Sequence, residues 1–175
     1  MKGITKFFGV SKNVLPSFKV MFPSHIWKTF KLSSIFLLFR ISLRPFPRYG
    51  RSNFFREHFD WFDPEKDKTL DASGNRATSF FVYLVAECEG GTTVFPKVSR
   101  PAAREWCDLL KCEDKNGNPV EWLEVVAKEG TAIFWHNFDA SGKLDEMTLH
   151  AGAEVLNGTK VGLNIWTRER KFRNM

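Results

Sequence analysis

His58 and Asp60 form an H-x-D pair. In an extended segment residues i and i+2 project from the same face, so one strand would present an imidazole and a carboxylate side by side. Far downstream, His150 ends another stretch of strand character, and its imidazole would complete a set of two histidines and one carboxylate. Such a set takes three positions on a metal and leaves the others open, the facial arrangement of non-haem Fe(II) oxygenases. Alone, the pair is a weak motif whose plain alternative is a surface histidine beside a solvated aspartate. Of the other histidines, His25 has no evident partner, and His136 reads as a rim residue at a strand end before it reads as a substitute ligand or substrate contact. Cys88, Cys107 and Cys112 leave one over after any pairing, so they make no disulfide framework. Cys107 and Cys112 could close a short loop, but one buried and one surface thiol is the preferred reading.

The elements that must position these groups are short. Residues 78–86 (TSFFVYLVA) are β-branched and aromatic enough for a buried strand, and Gly90 and Gly91 follow. Residues 92–95 make a partner strand ending at Pro96, and residues 101–111 carry Ala102, Ala103, Trp106, Leu109 and Leu110 at helical spacing. Residues 114–119 (DKNGNP) form a loop, and residues 120–126, 131–135 and 147–150 follow as strands. Asn157-Gly158 has the centre of a type I′ hairpin leading into residues 160–166. Several short strands with tight turns and one helix indicate a β-sandwich or barrel. Along the last strand Lys160, Gly162, Asn164 and Trp166 share one face and Val161, Leu163 and Ile165 the other. The first face would form a pocket wall, with Gly162 leaving room for a ligand, Asn164 offering an amide and Trp166 bracing a histidine. A regular hairpin would turn His150 to the opposite face, so a bulge or break is expected at Ala151-Gly152.

At 175 residues the chain is one domain's length, and 18 Phe and 6 Trp supply ample core material. The net charge of +6 is unevenly spread: residues 1–56 hold eleven Lys/Arg and no acid, the remainder fifteen basic against twenty acidic residues. After Pro45 and Pro47 the texture changes from basic and irregular to short apolar runs, which divides the chain into a basic, acid-free segment 1–45, a domain 46–170 and a basic tail 171–175. The longest apolar run in the basic segment, residues 35–39, is far shorter than the roughly 20 residues a membrane span needs. Lysines also interrupt every candidate secretory leader, while an organelle-targeting segment, a basic arm or a divergent N-terminus all fit. A nucleic-acid partner is not expected, because the basic residues are interleaved with Phe and the rest of the chain is acidic. Asn157-Gly158-Thr159 is a formal glycosylation sequon, for which the hairpin reading is preferred. The compartment stays open between cytoplasm and endoplasmic reticulum, and nothing fixes the oligomeric state.

Several further pieces fall in a specific order: YGRSNFFREHFDWF at residues 49–62, Tyr83-Leu84, EGGTTVFP at residues 89–96, His150-Ala151-Gly152, Lys160 ten positions after His150, and Trp166 six after Lys160. Together they resemble the 2-oxoglutarate- and Fe(II)-dependent prolyl 4-hydroxylases over about residues 49–168. The resemblance implies a mainly β fold, a double-stranded β-helix (jelly roll) with one or two short helices. It implies Fe(II) on His58, Asp60 and His150, 2-oxoglutarate and O2 as cosubstrates, and L-ascorbate as reductant. Lys160 would pair with the distal carboxylate of 2-oxoglutarate, the Tyr83 hydroxyl sharing that contact, and Asn164 and Trp166 would complete the wall. Without the resemblance Lys160 reads as a solvated lysine and Tyr83 as a core aromatic. Arg168 reads equally as substrate contact or surface charge.

The implied reaction is hydroxylation of an unactivated C–H bond, most often in peptidyl proline, with a free amino acid, a lysyl side chain or a small metabolite as other substrates. The alternative is a catalytically impaired jelly-roll remnant or binding protein. Ser52 and Phe55 stand where the family usually has glycine and tyrosine, Thr92 where it has an acid, and Val85 where Asn is common. Upstream of Tyr49 nothing reads like the family's supporting helices and first strand, so one sheet is expected to be short of support.

Overall fold

In a computed structural model of the chain, residues 47–67, 70 and 74–169 are described in full, and residues 18–21 and 41–43 by their backbone. His25, the tail 171–175 and most of the basic segment lie outside the described residues. The strands are β1 (Phe18–Met21), β2 (Ile41–Leu43), β3 (Arg48–Tyr49), β4 (Phe55–His58), β5 (Arg76–Gly90), β6 (Thr93–Ser99), β7 (Trp122–Val125), β8 (Ala132–His136), β9 (His150–Gly152) and β10 (Val155–Arg168). They form a six-stranded sheet, order β1-β8-β5-β10-β2 with β3 also on β10, and a four-stranded sheet, order β4-β9-β6-β7. The pairs are antiparallel. The expected mainly β jelly roll is the architecture observed.

The fold follows from alternation on two faces. On β5, Phe81 and Tyr83 point inward, and on β8 Ile133 and Trp135 do the same; all are buried. Across from them lie Phe95 of β6 and Leu123 and Val125 of β7, in one core cluster that also takes Trp106, Leu109 and Leu110 from the β6–β7 connection. Phe95 meets Trp135 edge-on with ring centroids 5.4 Å apart. Burying each large side chain stabilises by about 1.5–3 kcal/mol, and this sandwich is where most of that gain accrues. The inward face of β10 keeps Lys160, Gly162 and Trp166 buried, as the alternation predicts.

Four local expectations are corrected. Residues 101–111 do not form a helix: a single 3-10 turn spans Arg104–Trp106. The buried spacing of Trp106, Leu109 and Leu110 survives through turn bonds from the Leu109 and Leu110 amides to the Trp106 carbonyl. Leu110 then bridges to Val125 as an isolated β pair, which ends any helical continuation. Residues 147–150 are not one strand, because a 3-10 turn, Glu146–Thr148, capped by the Asp145 side chain on the Met147 amide, runs up to β9. Asn157-Gly158 is not a hairpin. β10 is continuous through it, paired with β5 from Val155↔Gly90 to Arg168↔Arg76, and the extra residue is absorbed as a register shift between Val155 and Asn157. Cys107 and Cys112 are joined in a disulfide, not left as thiols, while Cys88 is free.

The expected break near Ala151-Gly152 falls slightly later. β9 ends at Gly152 in the small sheet and β10 begins at Val155 in the large one, so the chain changes sheets across Ala153 and Glu154. Upstream of Tyr49, where no strand was expected, β1 lies on β8 and β2 on β10. These strands are too short, and too mixed with lysine and serine, to show a pattern of two. Among the described residues no helix is long and apolar enough to cross a membrane.

Two backbone positions make opposite predictions. Ser52 is the one non-glycine residue at positive φ among the described residues, at 66°, and its amide is tied to the Val155 carbonyl at 2.8 Å. Ser52→Gly is expected to stabilise the fold by about 1 kcal/mol, since a side chain in the left-handed region costs about 1–2 kcal/mol. Gly158 has φ 82°, and a Cβ there would overlap the Glu87 carbonyl oxygen. Gly158→Ala is expected to cost about 3 kcal/mol, against about 1 kcal/mol for Gly117→Ala, which has similar φ but open space around it. Denaturant midpoints of the three variants check both.

Candidate metal centre

His58 is the last residue of β4 and His150 the first of β9, and the two are direct cross-strand partners. That register brings two residues distant in sequence to adjacent positions, with imidazole centroids 4.2 Å apart. Asp60 follows His58 at the i+2 position. One potential ligand atom from each of His58, Asp60 and His150 lies within 4.8 Å of the others, the one such cluster of three among the described residues. His58 Nδ1 donates to the Arg56 carbonyl at 2.9 Å and His150 Nδ1 to the Thr148 carbonyl at 2.9 Å. A carbonyl only accepts, so each bond places a proton on Nδ1, and in the neutral ring Nε2 carries the lone pair a metal can take. Burial lowers the His150 pKa, the nearby His58 adds to the effect and Asp60 opposes it, so this ring is kept neutral as a ligand must be.

The donor set fits a divalent cation. Asp60 is 3% exposed, and its Oδ2 has no hydrogen-bond partner. Its Oδ1 is 3.8 Å from His58 Nε2 and 3.8 Å from Arg76 Nη1, too long for either to be a hydrogen bond. A buried carboxylate oxygen without a partner costs several kcal/mol unless a cation takes it up. Two imidazole lone pairs and a carboxylate at this spacing are the N,O set that iron and similar metals accept. Phe95 stacks on the His150 ring at 5.5 Å and Trp135 meets it edge-on at 4.8 Å.

The same cavity, of about 360 Å³, is lined by these three residues, by Tyr49, Thr93 and Lys160, and by Phe81, Trp135, Asn164 and Trp166 among others. Lys160 is 1% exposed, and its Nζ donates to the Gly91 carbonyl at 2.6 Å and lies 4.7 Å from the Tyr49 ring centroid. Among the described residues no carboxylate lies within ion-pair distance of it. Burial pulls its pKa down to about 8, with Cys88 opposing the shift. The site thus holds a buried carboxylate that has Arg76 at 3.8 Å but no hydrogen bond on its Oδ2, and, among the described residues, a buried ammonium with no carboxylate within ion-pair distance.

Sequence comparison meets this geometry. The profile of the 2OG-Fe(II) oxygenase superfamily matches residues 45–168. The chain belongs to this superfamily. It is 34% identical over 125 residues to human prolyl 4-hydroxylase subunit alpha-1, and 28% identical over 123 residues to prolyl 4-hydroxylase 1 of Arabidopsis thaliana. Those alignments take in 70% of this chain but only 19% and 39% of the two relatives, so the chain spans well under half the length of either. Among solved structures it resembles the viral collagen prolyl hydroxylase of Paramecium bursaria Chlorella virus-1 in its 2OG complex, at 25% identity and TM-score 0.52, covering 91% of this chain and 84% of that one.

In this 2OG-Fe(II) oxygenase domain His58, Asp60 and His150 converge, and Lys160, Asn164 and Trp166 line the cavity with them. Tyr83 does not line it. Its side chain is fully buried and its hydroxyl is bonded to Thr93 Oγ1 at 2.6 Å, so it holds a wall residue in place of facing the cavity. Burial pushes its pKa up. The tyrosine beside Lys160 is Tyr49, its cross-strand partner on β3. Tyr49 and Thr93 were missed as wall residues, although both lie within quoted motifs; only the pairing of β3 with β10 singles out the first. Gly162 leaves room for the Phe81 ring, which a Cβ there would overlap, not for a ligand. Trp166 carries the Arg76 guanidinium at 3.7 Å, and bracing of His150 falls to Phe95 and Trp135. His136 packs against Phe134 at a strand end, and Arg168 donates to the Gly74 carbonyl at 2.9 Å; neither lines the cavity.

Asp60→Asn and His150→Ala each remove one donor. In calorimetric titrations of chelator-stripped protein with Mn(II) or Co(II), each is expected to lose more than the roughly 10- to 100-fold that removal of an outer-shell partner costs. Wild-type affinity in either variant would exclude the centre.

Proposed function

We propose that this domain is a 2-oxoglutarate- and Fe(II)-dependent dioxygenase that hydroxylates an unactivated C–H bond, with peptidyl proline as its substrate class. The observation that carries the reading is the pairing, on one cavity, of three convergent metal ligands with a buried lysine that has no acidic partner among the described residues. His58, Asp60 and His150 would hold Fe(II). Bound there with 2-oxoglutarate and O2, the iron supplies the oxidising chemistry, and ascorbate restores the ferrous state. What the chain itself contributes is placement. The two Nδ1–H···O=C bonds aim both imidazoles with Nε2 toward the site, and burial disfavours the charged form of His150. Lys160 would receive the distal carboxylate of 2-oxoglutarate as a compact charge with donors to spare. Tyr49 and Thr93, on the same wall, offer it hydroxyls, and Phe81, Trp135 and Trp166 keep water from the reacting centre.

The proline assignment rests on the relatives, which are named as prolyl and collagen prolyl hydroxylases. An exposed Phe55 at the cavity mouth suits an apolar ring as substrate. The Cys107–Cys112 disulfide favours an oxidising compartment such as the endoplasmic reticulum lumen.

The test is conversion of 2-oxoglutarate to succinate, dependent on Fe(II) and accelerated by a proline-rich collagen-like peptide that gains one oxygen. Absence of succinate under all conditions would favour the impaired jelly roll. Lys160→Ala is expected to raise the KM for 2-oxoglutarate by about 100-fold or more, as loss of one partner of a buried charge pair costs about 2–5 kcal/mol. Because the free amine titrates at about 8, the protonated form that binds the dianion is the majority below that pH. Above it, binding must take up a proton, so the Kd for 2-oxoglutarate should climb toward about tenfold per pH unit. Anaerobic titrations from about pH 7 to about pH 9 read this slope, and a flat profile would refute it.

A further inference from the structure

β4 ends at His58, so the ligand Asp60 stands beyond the last paired residue of its strand. No ladder fixes the segment that carries it. Its backbone is held instead by side chains. Arg76 Nη1 donates to the Asp60 carbonyl at 3.0 Å, and Trp61 Nε1 to the Asp145 carbonyl at 3.2 Å. The closest hold is on Phe62: its N–H donates to Asn75 Oδ1 at 2.9 Å, and Asn75 Nδ2 donates to its carbonyl at 2.7 Å. The amide of Asn75 therefore replaces the strand neighbour that this segment lacks.

We propose that Asn75 is a positioning residue of the metal centre, fixing Asp60 through Phe62 and Arg76. Asn75 is 4% exposed, touches no ligand and does not line the cavity. It is itself anchored, since its N–H donates to Glu169 Oε2 at 2.7 Å and its carbonyl accepts from the Glu169 amide at 3.1 Å. Its Oδ1 also accepts the Arg76 amide at 2.9 Å, so the one side chain links Phe62 to the residue that holds Asp60. The Arg76 guanidinium lies over Phe62 at 4.7 Å and over Trp166 at 3.7 Å. Releasing Phe62 removes one side of that sandwich, and with it the fixed height of Nη1 under the Asp60 carbonyl. A metal ligand displaced by a fraction of an ångström binds more weakly, because coordination depends on geometry held by outer partners.

The inference rests on the metal-centre reading above, and the experiment separates the two. Asn75→Ala, stripped with chelator, is compared with wild type in apo thermal unfolding, in Co(II) and Mn(II) titration, and in the absorption band formed anaerobically with Fe(II) and 2-oxoglutarate. Metal affinity is expected to fall about 10- to 100-fold and the band to weaken or shift. Thr78→Val is the control: it removes the Thr78–Thr167 hydroxyl bond, 2.7 Å, between the same two strands without touching Phe62. It should lower the unfolding temperature and leave metal affinity unchanged. Should Asn75→Ala fail to fold, Asn75→Asp keeps the volume and the Oδ1 acceptor but sets a charged oxygen against the Phe62 carbonyl beside Glu169, so Phe62 is released and the same loss of affinity is expected. Metal affinity within about twofold of wild type in the folded variant, or a loss matched by Thr78→Val, overturns the positioning role alone. A wild type that binds no metal overturns it together with the reading on which it rests.

Discussion

A carboxylate buried with one oxygen unpartnered is the constraint around which this domain is organised. Asp60 sits 3% exposed beside two imidazoles, and no protein donor reaches its Oδ2. Left so, that oxygen carries an uncompensated desolvation penalty. The neighbours relieve it only in part: the Arg76 guanidinium pairs with the carboxylate at 3.8 Å but gives its hydrogen bond to the Asp60 backbone, and both histidines donate from Nδ1 to main-chain carbonyls. A site arranged in this way is stable when a cation supplies the missing interaction.

The same logic repeats at the other end of the charge balance. Lys160 is buried with a carbonyl and an aromatic ring for company, and the sheet change across Ala153 and Glu154 is what lets it share a cavity with His150. Had the chain turned back in a two-residue hairpin at Asn157-Gly158, the alternation of side chains would have put the histidine and the lysine on opposite faces, and one regular strand would have set them roughly 33 Å apart. Moving the chain from the small sheet to the large one resolves that conflict, because the inward faces of the two sheets look at each other.

How much of this was legible in the sequence depended on the range of the interaction. The H-x-D pair, the alternation from Lys160 to Trp166 and the aromatic run of β5 are local patterns, and each survives in the structure. The expected irregularity between His150 and Lys160 followed from parity in a hairpin that the structure does not form; the break is there because the chain changes sheets. Asn157-Gly158 misled because its turn propensity is local, whereas thirteen of the fourteen residues of β10 paired against β5 outweigh it and use Gly158 for a positive φ inside the strand. Residues 101–111 misled in the same way, since helical spacing of Trp106, Leu109 and Leu110 is also produced by successive tight turns pinned by the Cys107–Cys112 bond and the bridge to Val125. Tyr49 and Tyr83 could not be told apart by type or neighbourhood. Only the strand pairings decide which hydroxyl meets Thr93 and which ring meets the lysine.

The departures from the family pattern show which parts of the site tolerate change. Thr92 stands where an acid is usual, and its hydroxyl donates at 2.8 Å to Glu124, a buried carboxylate that also takes Lys111 at 3.0 Å and the Trp122 indole at 3.1 Å. A second acid at position 92 would face Glu124 directly, so the negative charge of this corner resides on β7, and threonine is what its neighbour requires. Phe55 keeps a ring against His58 at 4.4 Å while giving up a hydroxyl, and Val85 simply pairs with Val161. Ser52 accepts a strained φ, held by its bond to Val155, at the point where the chain turns toward β4. None of these residues bears on Asp60 Oδ2 or on Lys160 Nζ. The substitutions fall on the frame and the mouth, where packing and hydrogen bonds can be exchanged for others. The buried charges have no such exchange open to them, because an anion and a cation desolvated in one cavity can be compensated only by partners that bring the opposite charge.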